Sequence, residues 1–282
     1  MNKDRRAFLR NTSLATGLLL LQQPLRSLAA TIGNATYLPG NNRELTIWHT
    51  NDMHGQVADL RPPGDAGILL DAGDFLHGET NVDEHREIIA AMNRAGYHAA
   101  TIGNRELAGG QAALAALIPD MQFALVNCNY RFADKALARQ VLPYKIVYAG
   151  SLKVGITGVG PALPAGSGVT VLSPVQTAND VAVRLKQEHG CHVVVCLSHL
   201  GYKQPENIAD SRDLAMSSTH IDFVVGGHQE KIIHTTMVLR NARDHEVYLS
   251  QAGTNGMMTG FLKMQFDEDR NRCGITPGSI MA

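Results

Sequence analysis

The run Val193–Leu197 is apolar at every position and stops abruptly at Ser198-His199. It is too short for an ordinary helix, and a strand with no polar side needs cover on both faces. A chain built on such a strand must stack layers on either side of a sheet. Four further, mainly apolar runs end in the same way: Leu45–Thr50 before Asp52-Met53-His54, Ile68–Ala72 before Gly73-Asp74, Ala99–Ile102 before Gly103-Asn104, and Ile221–Val225 before Gly226-Gly227-His228. In an extended chain residues i and i+2 point the same way, so Asp52 and His54 can meet just past their strand. Open α/β sheets gather ligands beyond the carboxyl ends of their strands, where Asp52, His54, Asp74, Asn104, His199 and His228 all fall. Carboxylate, amide oxygen and imidazole together suit borderline divalent ions such as Mn, Zn or Fe. Six donors exceed one tetrahedral site and indicate two ions. Two ions about 3.5–4 Å apart generate a hydroxide nucleophile and clamp a phosphoryl group, which makes phosphoester hydrolysis the natural chemistry.

Between these strands the pattern alternates. Ile88, Ile89, Met92 and Ala95 have helical spacing and Gly96 stops them, so a helix is expected over 83–94. A second helix is expected over 111–118, ended by Pro119, and a third over 178–188, with Thr177 and Asp180 in capping-box spacing. Tyr144–Ala149 and Leu152–Val159 read as a hairpin across Gly150-Ser151. The last third, 232–239, 246–251 and 257–266, reads as successive antiparallel strands with turns at 241–244 and 253–256. Strands alternate with helices early and follow one another late, which predicts an α/β fold of two mixed sheets rather than a single doubly wound sheet. Trp48, inside the first strand, is expected in the core, and all four cysteines as small buried side chains.

The N-terminus carries a different signal. Arg5-Arg6-Ala7-Phe8-Leu9-Arg10 resembles the twin-arginine export consensus, and an apolar stretch from Leu14 to Leu21 precedes Ser27-Leu28-Ala29-Ala30. Residues 1–30 are therefore expected to be a twin-arginine signal peptide, 31–43 a leader, and 44–282 the catalytic domain. The apolar stretch is too short for an ordinary transmembrane helix, so no stable membrane anchor is expected and the destination is the periplasm. Without the first 29 residues, 20 basic and 25 acidic side chains remain, which excludes a basic nucleic-acid footprint. A phosphorylated small molecule would need local positive charge, such as metal.

Asp52-x-His54, Gly73-Asp74, Gly103-Asn104-x-Glu106, Ser198-His199 and Gly227-His228 resemble the five blocks of the calcineurin-like metallophosphoesterases. The fuller text 49–55 and 197–201 resembles the catalytic domain of the 5'-nucleotidase and UDP-sugar hydrolase group, over about 45–266. The resemblance implies a four-layer αββα sandwich and two divalent ions. One would take Asp52, His54 and Asp74; the other would share Asp74 and take Asn104, His199 and His228. The family's His after the Asn of the third block, and the Asp that orients it, are replaced by Arg105 and Ala108. Arg105 can bind a phosphate oxygen but cannot donate a proton near neutral pH. Asn104 and Arg105 are the expected catalytic pair, with Asn129 as a substrate hydrogen bonder and His77 as the best substitute acid. In the last block Glu230 stands where the family has a second His, and its carboxylate can complete the first metal's shell. The implied activity is nucleotidase-like hydrolysis, with a nucleotide among the expected substrates. The alternative is a weakened relative that binds a phosphorylated ligand or a partner chain. Nucleotidase relatives continue into a domain that clamps the base, so a separate chain supplying substrate specificity is a further expected partner.

Overall fold

The structure is a computed structural model that describes residues 35–40, 42–57, 67–78, 81–231, 233 and 235–281. The signal-peptide reading of 1–30 and the loop signature at Arg61-Pro62-Pro63-Gly64 lie outside the described residues. By compactness the chain divides at Thr36, and the unit from Tyr37 to Ala282 carries both large sheets and every candidate ligand.

Fifteen strands are described. One sheet contains β7 (Tyr144–Ala149), β8 (Leu152–Val159), β10 (Val193–Ser198), β11 (Phe223–Gly226), β13 (Glu246–Ser250) and β12 (Met237–Arg240), in that order. From β8 to β13 the strands are parallel, and β7 and β12 pair antiparallel at the two sides. The short strand β1 (Ala35–Leu38) lies within the expected leader, and its Tyr37 stacks on Tyr148 of β7 at 4.6 Å. The other sheet runs β15 (Arg272–Met281), β14 (Met258–Phe266), β2 (Glu44–Thr50), β3 (Ile68–Asp71), β4 (Ala99–Ala100) and β5 (Ala124–Leu125). Here β2 to β5 are parallel, and β14 and β15 antiparallel. Strands β6 (Tyr130–Phe132) and β9 (Val169–Val171) form a separate pair.

The two sheets face each other. Leu45 and Ile47 of β2 and Ile68 and Leu70 of β3 meet Val154, Ile156, Val195, Leu197 and Phe223 across one buried core. Helix Val82–Ala95, through Ile88, Ile89 and Met92, and helix Gln111–Leu117 cover the outer side of the β2 sheet. Helices Pro174–Gln187 and Ser211–Ser217 cover the outer side of the β10 sheet through Ala178, Leu185, Leu214 and Ala215. The layers are helix, sheet, sheet, helix, the αββα sandwich expected. Strand β10 shows why its run lacks a polar position: Val193, Val195 and Leu197 enter the inter-sheet core, while Val194 and Cys196 meet the helices.

Three expectations need correction. The third helix begins at Pro174, not at Ala178: Pro fits the first helical position, and Ser173 caps it by accepting the Gln176 N–H at 3.4 Å. Strands β12 and β13 are antiparallel, but β13 also pairs in parallel with β11, and the chain then crosses to the other sheet, where β14 lies between β2 and β15. The last third is therefore not a continuous antiparallel run. Cys273 is exposed, whereas Cys128, Cys191 and Cys196 are buried free thiols. Trp48 packs in the core against Phe261, with ring centroids 5.0 Å apart.

Candidate metal centre

The carboxyl ends of β2, β3, β4, β10 and β11 converge, and the two sheets are tied together where they do. The His228 N–H donates to both carboxylate oxygens of Asp52, at 3.1 and 2.9 Å. His199 Nδ1 lies 2.7 Å from the carbonyl oxygen of Ala72. A carbonyl can only accept, so Nδ1 carries the proton and Nε2 faces inward with a lone pair when the ring is neutral. That lone pair lies 3.3 Å from Asp74 Oδ2 and 4.0 Å from Asp52 Oδ1, buried and without hydrogen-bond geometry. His54 repeats the arrangement: Nδ1 is 3.0 Å from Asn255 Oδ1, and buried, unpartnered Nε2 is 3.5 Å from Glu230 Oε1. Two anchored imidazoles with lone pairs turned on carboxylate oxygens need positive charge between them, and this donor set fits divalent ions.

Asp52, His54 and Asp74 bring one ligand atom each within 4.8 Å of one another. The second expected group is also assembled: His199 beside Asp74, its ring 5.2 Å from that of His228, and His228 Nδ1 3.2 Å from Asn104 Oδ1. Glu230 also comes to this side of the cluster, beside His54. Gly103 is forced by the approach, because a side chain there would strike the Asp74 carboxylate and the His199 ring. The backbone is strained where the ligands sit. Of eight described non-glycine residues with positive φ, five are Asp52, His54, Asp74, His228 and Glu230, at 45° to 84°.

Burial raises the Asp52 carboxyl above its ordinary range. It also opposes ionisation of Asp74, but the neighbouring His199 and Arg105 outweigh it and hold that carboxyl low. Burial likewise opposes charge on His199, yet Asp74, then Asp52, push the imidazole up to about 9. His228 is lowered, by burial and by the charge of His199. The cluster thus favours a cation at its middle, whether proton or metal.

Arg105 reaches over this cluster, with Nε 3.6 Å from Asp74 Oδ2 and a terminal nitrogen 3.5 Å from Glu230 Oε1. His77 is half-buried against Gly55 at the rim. Asn129 does not face a ligand. It has no exposed area, and its amide is spent on the backbone of Gly160, accepting the N–H and donating to the carbonyl at 2.9 Å each. The expected substrate bonder therefore pins the end of β8 instead. Sequence reasoning missed the supporting groups. Glu106 accepts N–H bonds from Asp74, Leu76 and Gly103, and Asn51 donates to Asp52 Oδ2 at 2.7 Å. Asn51 was visible beside Asp52, but Asn255 lies about 200 residues from His54 with no local signal.

No family model matches the chain. A venom 5'-nucleotidase of Gloydius brevicauda is 27% identical over 284 residues, covering 81% of this chain and 46% of the relative. The 5'-nucleotidase precursor of Thermus thermophilus superposes with a TM-score of 0.72 at 24% identity, covering 84% of this chain and 54% of that one. The calcineurin-like phosphoesterase YfkN of Bacillus subtilis superposes at 0.68 with 20% identity, covering 85% and 91%. The chain has the metallophosphoesterase fold and is a relative of the 5'-nucleotidases. It spans about half the length of the nucleotidases it matches. In this metallophosphoesterase fold the corners that carry the candidate ligands follow the strand ends, and Arg105 and Glu230 stand beside them.

Proposed function

We propose that the chain is an exported, metal-dependent phosphoester hydrolase of the 5'-nucleotidase type, working with two divalent ions. The observation that carries this is the pair of anchored imidazoles whose inner nitrogens face Asp74 and Glu230 without a hydrogen bond. Asp52, His54, Asp74 and Glu230 would hold one ion, and Asp74, Asn104, His199 and His228 the other. Divalent ions bound there supply activation of water and neutralisation of phosphoryl charge. The chain's own residues do the rest. The Arg105 guanidinium, 33% exposed, is free to turn from Glu230 to a phosphoryl oxygen, and the Asn104 amide lies beside His228. No imidazole follows Asn104, so the leaving oxygen takes its proton from water or from His77 at the rim, which favours leaving groups that need no proton. A nucleotide is among the substrates this reading admits, and a separate chain can supply base recognition. Export by the twin-arginine route to the periplasm completes the reading. No helix among the described residues is long and apolar enough to cross a membrane.

The test is metal analysis of purified protein followed by a phosphoester panel. About two transition-metal equivalents are expected, with Asp74→Ala lowering kcat by about 10²–10³-fold or more. Metal-replete protein inert across the panel sinks the proposal. The contacts of Arg105 with Asp74 and Glu230 favour a second reading, a weakened relative that binds a phosphorylated ligand or partner. The triple change Arg105→His, Ala108→Asp and Glu230→His separates the two: a large gain in rate supports the second.

A further inference from the structure

Beside the metal centre, beyond the carboxyl ends of β8, β10 and β11, lies a cleft of about 440 Å³. Its walls are Gly160, Pro161, Ala162, Val171 and Pro174 on one side, and Leu200, Gln204, Asn207, Ile208 and Ala209 on the other; His228 closes the end towards the metal centre. Among the described residues His228 is the one titratable group in that lining; no Asp, Glu, Lys or Arg faces the cleft. Ile208 is 48% exposed and Leu200 buried, so the apolar surface runs from the mouth to the floor. The polar groups are the amides of Gln204 and Asn207. The Gln204 amide already donates to the Leu200 carbonyl at 3.1 Å. The walls are held in place. Asn129 pins Gly160, Asp210 accepts the Gln204 N–H at 3.0 Å, and Gln229, next to His228, accepts the N–H groups of Tyr202 and Lys203 at 3.1 and 3.2 Å.

We infer that this cleft receives the leaving-group portion of a phosphoester substrate, and that it selects an uncharged, largely apolar alcohol, such as an aryl group, over an anionic one. The inference rests on the phosphoesterase reading above. It follows from three properties. His228 belongs both to the cleft and to the ligand cluster, so a phosphoryl group at the centre directs its ester oxygen and substituent along the cleft. A charge-free lining gives a buried anionic leaving group no partner and makes its desolvation unfavourable. The volume falls in the range of pockets that enclose small organic ligands. Specificity would then reside in this chain's own Ile208, Leu200 and Pro161.

The test compares metal-loaded wild type with Ile208→Glu and, separately, Ala162→Trp, both at exposed positions. The substrates are 1-naphthyl phosphate and 2-phosphoglycolate, whose leaving group carries a carboxylate. The ratio of their kcat/KM values should favour naphthyl phosphate in the wild type and fall about tenfold or more in each variant, mainly through KM for naphthyl phosphate. Wild type without that preference, or variants that retain its full ratio, would overturn the inference while leaving the phosphoesterase reading intact. If neither substrate is hydrolysed, that reading fails, and calorimetry with uncleaved 1-naphthyl phosphate decides the cleft alone. Binding about tenfold weaker in both variants then supports it; equal binding overturns it.

Discussion

Glu106 accepts three backbone N–H groups, from Asp74, Leu76 and Gly103, and so fixes the corner that carries Asp74 and Asn104. Burial, then the charge of Asp74, pushes its carboxyl up to about 7. Glu106→Gln turns an NH₂ group towards these donors. The expected cost is about 1–3 kcal/mol in chemical denaturation and about 10–100-fold in metal affinity. Unchanged affinity on metal titration would show that other contacts hold the corner. His49 gives a second prediction. It is fully buried beside Phe223, and burial lowers its imidazole from 6.5 to about 3. The unfolded chain binds a proton between those values that the folded chain refuses. Its contribution to stability is therefore complete above about pH 6.5 and is lost as pH falls towards 3, by roughly 2–3 kcal/mol at pH 4.5. His49→Leu should flatten that part of the stability curve relative to wild type, measured by urea unfolding at successive pH values. A parallel curve would assign the acid sensitivity elsewhere. Both residues stood in the sequence without advertising a role, because burial and backbone partners decide it.

At the scale of elements, what local pattern encodes was legible. The uninterrupted run of β10, the Gly96 stop and the hairpin across Gly150 all lie where periodicity and turn chemistry put them. What depends on partners distant in sequence was not. Strand β15 runs Arg272–Met281 with Gly274, Pro277 and Gly278 within it, a composition that reads as loop and is tolerated because the strand lies at a sheet edge. The passage of β14 to the other sheet has no local mark, since its register is set against β2. For the candidate site, the corners that cluster were legible because they terminate strands, whereas Asn129 read as a pocket residue because its strand-end position says nothing about Gly160. Helix–sheet contact gives the prediction at this scale. Gly155 of β8 lies under Leu185 of helix Pro174–Gln187, and a Cβ there would meet that side chain. Gly155→Val should cost about 1–3 kcal/mol by overpacking, seen in thermal unfolding. Gly155→Val at wild-type stability would mean that the helix yields without loss.

For the whole molecule, the decisive contacts are those between the sheets at their shared end. Asp52 of one side receives His228 of the other, and His199 returns the link to Ala72. An ion among these residues binds the folded chain alone, so chelation should lower stability by about 3–4 kcal/mol when free metal stands at about 100–1000 times its Kd. For a molecule of this size that is about 5–15 °C in Tm, recovered on adding metal back. Calorimetry with and without chelator checks it, and an unmoved transition would mean that the sheets close without the ion. The left-handed backbone at Asp52, His54, Asp74, His228 and Glu230 bears on how such a sequence drifts. Glycine at each of these positions would relieve about 1 kcal/mol or more. A library randomised there and selected only for thermal survival should move towards Gly and Asn; one selected for hydrolysis should return Asp and His. Stability and use therefore pull those codons in opposite directions, and a lineage that no longer needed the ion would be free to shed its ligands for a gain in stability.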